Sequence, residues 1–233
     1  KIILNIDKPK IVLITQFYIP KDDFRKEEIK KCLINNINNK LIDRIILFGE
    51  KQYNFPKILG TKLNLDKLEY INIKKRLSFK DVFKHCNNDY EKKQIDSIYI
   101  LCNSDIYFNH TLLKLSKLSW NNKFLAISRI DVKPEGNKYH KKPQSSQDTW
   151  IWKNKIDVSK DPKFKSYQKD GILLGVPGCD NYIVYLMNYS GYKVENKCKL
   201  IETFHLHQND FRTWSLDDPN SYGNEFYQQI KCT

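Results

Sequence analysis

Short apolar, β-branched runs alternate with segments of helical spacing through the first hundred residues, and this alternation narrows the choice of fold more than any single motif does. Ile11 to Tyr18 (Ile-Val-Leu-Ile-Thr-Gln-Phe-Tyr) closes at Pro20 and suits a strand covered on both faces. Asp22 or Asp23 can cap the next helix, in which Phe24, Ile29, Leu33 and Ile37 recur near helical spacing before an Asn-rich end at residues 35–39. Arg44 to Phe48 and Leu68 to Ile73 read as two further strands. Ser78, with Asp81 three residues on, has the signature of a capping box ahead of Phe79, Val82, Phe83 and Cys86, the apolar face of a short helix. Ile98 to Phe108 is then expected as the central strand. Strand, helix, strand in this order predicts an α/β fold with a doubly wound, mostly parallel sheet flanked by helices.

The central run stops abruptly on Asn103, Ser104 and Asp105. In open α/β sheets ligands gather beyond the carboxyl ends of the strands, so a polar triplet there suits a metal or phosphate. The same three residue types also initiate ordinary turns. A helix is expected from about Asn109 through Leu118, and the next strand, Phe124 to Ile130, also ends among polar residues, Arg129 and Asp131. Lys133 to Gln147 lacks any period, and a loop of that length is often a lid or binding loop.

Three further groups can carry chemistry. Gln147 and Asp148 precede Trp150 and Trp152, which would share one face of an extended segment. An amide and a carboxylate can bind sugar hydroxyls while an indole packs on a pyranose ring; alternatively both tryptophans are core and Asp148 is a turn residue. Asp180 falls in the first turn of a helix introduced by Pro177, with Tyr182, Ile183, Leu186 and Met187 as its apolar face. There it can simply favour the helix dipole, or it can take a proton as a general base. His205 and His207 lie on a strand expected from Leu200, so both imidazoles point to one side and can meet one ion. With the Asp105 carboxylate they suit Mn2+ or Mg2+; otherwise they are two surface histidines.

At 233 residues the chain can bury a full core and is expected to be a single domain, 1–233. Its formal charge of +13 suggests anionic partners, but the lysines are scattered and form no basic stripe, so nucleic acid is not expected. No apolar run is long enough for a membrane span. Cys32, Cys86, Cys102, Cys179, Cys198 and Cys232 show neither CxxC spacing nor a compact framework, which predicts reduced thiols and a reducing, cytoplasmic compartment. Walker loops, GxSxG elbows and kinase signatures do not occur.

Taken in order, these residues resemble the GT-A class of nucleotide-sugar glycosyltransferases. Asn103-Ser104-Asp105 looks like a variant of that class's Asp-x-Asp motif, whose last Asp binds the divalent ion under the diphosphate. Pro177-Gly178-Cys179-Asp180-Asn181 is similar to the Gly-Gly-Glu-Asp-Asp segment of the β-1,4-galactosyltransferase-like family, which would make Asp180 the catalytic base. In that family a His-x-His follows, here His205 and His207, with Arg212 shortly after. The series Asn103 to Ile106, Ser128 to Asp131, Ser146 to Trp150, Pro177 to Asn181 and His205 to His207 also resembles glycosyltransferase-like proteins of giant viruses and microbes. This resemblance covers most of the chain. The first Asp of Asp-x-Asp is Asn103 here, and Cys179 replaces the Glu before the base.

The resemblance implies a metal-assisted, inverting glycosyltransferase that uses a UDP- or GDP-sugar and a glycan acceptor. A nucleotide-binding half (about 1–108) would use Thr15, Gln16, Phe17, Arg76, Asn103, Ser104 and Asp105, with Arg129 from the second half. An acceptor and catalytic half (109–233) would use Gln147, Asp148, Trp150, Trp152 and Asn181 for sugars and Asp180 as base, and the metal would lie on Asp105, His205 and His207. If the chain is viral, its compartment would be the host cytoplasm. The alternatives are a non-catalytic basic protein that binds nucleic acid or acidic glycans, and a sugar nucleotidyltransferase, which would need a Gly-rich loop that Gln16 to Asp22 lacks.

Overall fold

A computed structural model describes residues 8–60, 62–208, 221–222 and 228–233. Arg212 and most of the tail after it lie outside the described residues. β1 (Lys10–Phe17), α1 (Asp23–Asn38), β2 (Arg44–Gly49), α2 (Phe55–Leu59), β3 (Leu68–Asn72), α3 (Phe79–Lys93) and β4 (Ser97–Cys102) alternate; α2 is additional to the expected elements, and the expected strand Ile98 to Phe108 breaks at the turn after Cys102. They are followed by β5 (Ile106–Phe108), β6 (Lys123–Ile127), β7 (Ile130–Asp131), β8 (Lys138–Tyr139), β9 (Thr149–Lys153), α4 (Lys165–Lys169), α5 (Cys179–Tyr189), β10 (Lys193–Glu195) and β11 (Thr203–His205).

Among the described residues the main sheet has seven strands in the order β10-β6-β9-β4-β1-β2-β3. β1 pairs in parallel with β2 and β4, β2 with β3 and β10 with β6; β9 alone runs antiparallel, between β4 and β6. β4 is therefore the middle strand. The carboxyl ends of β1, β4 and β6 lie along one edge, and because β9 is reversed, its amino end joins them there. That edge collects Thr15 to Phe17, Asn103 to Asp105, Ser128 and Arg129, and Gln147 and Asp148.

Alternation along the strands divides the core between the two faces. Val12, Ile14, Tyr99 and Leu101 pack with α3 and α5 on one side, and Leu13, Ile98, Ile100 and Cys102 pack with α1 on the other. Asp22 caps α1 by accepting from the Arg25 N–H at 2.7 Å, and the Ser78–Asp81 capping box forms as expected. A second, four-stranded sheet, β5-β11-β7-β8, sits at the edge of the first. Its register sets His205 opposite both Ile106 and Asp131. Asn36 of α1 fixes β5 by donating to the Ile106 carbonyl and accepting from the Phe108 N–H.

Several expectations need correction. Phe24 is 77% exposed, because the buried stripe of α1 runs through Arg25, Glu28, Ile29, Cys32 and Leu33. The segment after Asn109 is a 3-10 helix, His110–Lys117, and α3 is fifteen residues long. Cys198 and Cys232 form a disulfide, so the six thiols are not all reduced; Cys32, Cys86, Cys102 and Cys179 are free and buried. No helix among the described residues is long and apolar enough to cross a membrane.

Candidate active site

Two carboxylates dominate the edge where the strand ends meet. The turn after β4 closes with the Ile106 N–H donating to the Asn103 carbonyl, which turns Asp105 inward at 4% exposure. Asp105 Oδ2 accepts from Arg25 Nη2 of α1 and from His205 Nε2 of β11, the latter at 2.9 Å. Burial alone would raise the Asp105 pKa, but His205 and Arg25 outweigh it and hold the carboxyl well below the usual range. His205 responds in the opposite sense: burial disfavours its charged form, yet Asp105 and then Asp131 lift it to about 9.

From His205 the network continues outward. His205 Nδ1 lies 3.2 Å from Asp131 Oδ1, and Asp131 also accepts from Arg129 Nε at 2.9 Å and faces His140 Nδ1 at 3.2 Å. Arg129 Nη1 donates to Asp148 Oδ2 at 2.6 Å and to Ser146 Oγ at 2.9 Å, while Asn103 Nδ2 holds Asp148 Oδ1 at 2.8 Å. On the other flank, Glu28 accepts from Arg25 and from the Gln208 N–H, which ties α1 to the segment carrying His207.

A divalent cation fits this cluster. Asp105, His205 and His207 offer ligand atoms that all lie within 4.8 Å of one another. Asp105 Oδ1 is buried and has no hydrogen-bond partner among the described residues, although Oδ2 has two. Burial, followed by Arg25 and His205, lowers the His207 pKa and favours the neutral imidazole that a metal requires. A metal on His205 Nε2 would displace the proton shared with Asp105 and leave Nδ1 directed at Asp131, the outer partner that typically orients a metal-bound imidazole.

The second carboxylate, Asp180, stands in the first turn of α5 behind Gly178, which adopts φ 80°. A Cβ at Gly178 would come within 2.6 Å of the Tyr222 carbonyl oxygen, so glycine is required there on both counts. Asp180 Oδ2 accepts from the Gln147 N–H at 3.3 Å, and Oδ1 accepts from the Asn181 N–H at 3.0 Å. No cation reaches it among the described residues. Burial first, then repulsion from Asp148, pushes its pKa up to about 6. Gln147 Oε1 and Asn181 Oδ1 are buried acceptors without a partner among the described residues, on the two residues whose N–H groups meet Asp180.

Asn103, Asp105, Arg129, Gln147, Asp148, Asp180, Asn181, His205 and His207 all belong to this edge, and Ser104 is half-buried in the same turn. Trp150 and Trp152 do not face the site, a correction to the sugar-packing expectation. At 0% and 1% exposure they lie in the core, Trp150 edge-on to Phe79 and Trp152 stacked with Tyr99 and Phe124. Phe17 is also core, packed edge-on against Tyr53 and Phe55. Thr15 is buried, and Gln16 bridges Glu50 and the Leu77 N–H. Arg76 donates to the Leu174 carbonyl beside Gly175, on the loop leading to Asp180. Sequence reasoning missed Arg25, Glu28 and His140, and it gave Asp131 no role; only the position of Asp131 at a strand end could have signalled one.

No family model matches the sequence, and no curated protein matches it. Solved structures do match. The mannosyltransferase PcManGT from Pyrobaculum calidifontis, in complex with GDP-Man and Mn2+, is 10% identical with a TM-score of 0.49, over 89% of this chain and 59% of its own. GalNAc-T7 with UDP, GalNAc and Mn2+ is 10% identical with a TM-score of 0.52, over 91% of this chain and 45% of its own. The chain thus spans about half the length of these solved chains. The likeness to GalNAc-T7 shows the fold: the mixed, mostly parallel sheet flanked by helices is of the GT-A glycosyltransferase type.

Proposed function

We propose that this chain is a metal-assisted GT-A glycosyltransferase, acting as a single domain, that moves a sugar from a nucleotide-diphosphate sugar to a hydroxyl acceptor. The observation that carries the reading is the convergence of Asp105, His205 and His207 at the carboxyl ends of a GT-A-type sheet. Those three residues would hold Mn2+ or Mg2+, which when bound neutralises charge developing on the departing diphosphate. Asp131 keeps His205 oriented, and Arg25 keeps Asp105 ionised.

Asp180 is the proposed base. As the acceptor oxygen bonds to the anomeric carbon and the bond to the diphosphate breaks, the hydroxyl proton passes to the Asp180 carboxylate and the configuration inverts. A pKa pushed up to about 6 suits a base that must be ionised near neutral pH yet still take a proton. Arg129 and Asn103 fix Asp148 toward the donor sugar, and Gln147 Oε1 and Asn181 Oδ1 would accept from sugar hydroxyls. Thr15, Gln16 and Arg76 remain the proposed nucleotide contacts from the first half of the chain.

A thermal-shift panel of UDP- and GDP-sugars with and without Mn2+ should show stabilisation only when both are present; no shift with any nucleotide sugar would refute the reading. Asp180→Asn should lower kcat by roughly 10²–10⁴-fold while leaving Mn2+-dependent nucleotide binding intact. Wild-type kcat in that variant removes Asp180 as base.

A further inference from the structure

A cavity of about 520 Å³ is lined by Tyr139, Pro143, Gln144, Lys199 and Lys231 together with the Cys198–Cys232 disulfide. We propose that this cavity binds an anionic sugar unit of the acceptor, one bearing a carboxylate or a phosphate. The inference rests on the glycosyltransferase reading and names the acceptor class for that same site.

The two lysines are brought together by covalent structure. Lys199 follows Cys198 and Lys231 precedes Cys232, so the disulfide, with Cα atoms 5.6 Å apart, holds both ammonium stems at one mouth. No described acidic group lies within ion-pair distance of either. This differs from the neighbouring surface, where Lys123, Lys193 and Lys197 all gather on Glu195 at 3.6, 2.9 and 3.4 Å. Among the described residues, charge is compensated on that side and uncompensated at the cavity. Paired cations with no described acid beside them make the complementary occupant an anion.

The remaining walls suit a sugar. Tyr139 is 49% exposed and offers an aromatic face, and Gln144 offers an amide that can both donate and accept. The frame is held in place, because the Ile230 N–H donates to the Gln144 carbonyl at 2.9 Å and Asn196 Nδ2 to the Pro143 carbonyl at 2.9 Å. One short segment connects the cavity to the chemistry: Gln147 Nε2 donates to the Pro143 carbonyl, and the Gln147 N–H donates to Asp180. An acceptor chain seated in the cavity would therefore pass Gln147 to reach the proposed base.

The test measures binding without donor, so it does not depend on turnover. Wild type and the Lys199→Glu/Lys231→Glu variant are titrated by calorimetry at low salt with a galacturonate trisaccharide, a phosphorylated mannotriose, an uncharged mannotriose and a single-stranded oligonucleotide of matched charge. Wild type should bind at least one of the charged saccharides about tenfold tighter than the uncharged one, and the variant should lose that preference at an unchanged melting temperature. The galacturonate and phosphate arms identify the anion. Equal binding of charged and uncharged saccharides, a preference that survives in the variant, or tighter binding of the oligonucleotide would each overturn the proposal. Mn2+-dependent nucleotide-sugar stabilisation, measured in both proteins, reports on the glycosyltransferase reading separately and should be the same in each.

Discussion

Asp105 and Asp180 occupy the same edge of the sheet but have been given opposite surroundings. Asp105 is enclosed by cationic groups, Arg25 and His205, and stays ionised despite burial. Among the described residues Asp180 is met only by backbone N–H groups and the Asn181 amide, with Asp148 nearby to repel its charge, and is pushed up to about 6. Two carboxylates whose environments drive their pKa values apart are suited to different tasks, one as a fixed charge or ligand and the other as a proton acceptor. Asp148 connects them. Its charge is partly spent on Arg129 and Asn103, so it orders the first network while raising the pKa of the second group.

The harshest way to break this contrast is Asp105→Ala. Arg25 would keep Glu28 but lose its main counter-charge in a buried position, and removing one partner of such a pair costs about 3–5 kcal/mol. Urea denaturation should show a loss of that size, and Mn2+-dependent nucleotide binding should disappear with it. A loss below about 1 kcal/mol would mean that the Arg25–Asp105 pair is not the structural half of the contrast.

Asp180→Asn should have the opposite sign. A carboxyl group whose folded pKa is raised favours the folded state fully below its unfolded pKa, near 3.8, and that contribution is lost as pH rises through about 6. About two units correspond to roughly 3 kcal/mol, so at pH 8 the variant should be more stable than wild type by up to that amount, with the difference closing below pH 4. Wild-type kcat/KM should rise through pH 6 and then level off. A variant no more stable than wild type at pH 8 would show that Asp180 is not desolvated as described. A gain in stability with loss of activity is the usual trade-off where a buried charge serves function.

How much of this could be read from sequence depended on how local the cause was. The short apolar runs set β1, β2 and β3 to within a residue or two, because each strand's burial is written in its own side chains, but they carried β4 on to Phe108, past the turn at Asn103 where the chain leaves the main sheet and Ile106–Phe108 joins the second one. The cap at Asp22 and the box at Ser78 are equally local. Asp105, His205 and Asp180 could be singled out because each ends or begins an element. Arg25 could not: within Asp22-Asp23-Phe24-Arg25-Lys26-Glu27 it reads as a solvated helix face, and it is buried because Asp105, in the turn before β5, and Leu206, after β11, 80 and 181 residues away, pack on α1. The Cys198–Cys232 bond was hidden for a similar reason, since its 34-residue separation belongs to no recognisable framework.

Trp150 and Trp152 show the limit from the other side, and they provide the mildest test. Alternation placed both indoles on one face correctly but could not say what covers that face. β9 is inserted antiparallel between β4 and β6, and α3 closes over it, so the pair became core. Trp152 lies between Tyr99 and Phe124 with Phe83 edge-on at 5.1 Å, and its Nε1 has no partner among the described residues. Trp152→Phe should therefore lose packing yet also remove a buried donor worth about 1–3 kcal/mol when unsatisfied. The two effects oppose each other, and the net change in stability should stay within about 1 kcal/mol. Because the indole touches neither carboxylate's network, kcat and KM should match wild type. A tenfold loss of kcat/KM at unchanged stability would mean that the core beneath the edge sets the chemistry too, and the contrast between Asp105 and Asp180 would no longer be enough to explain it.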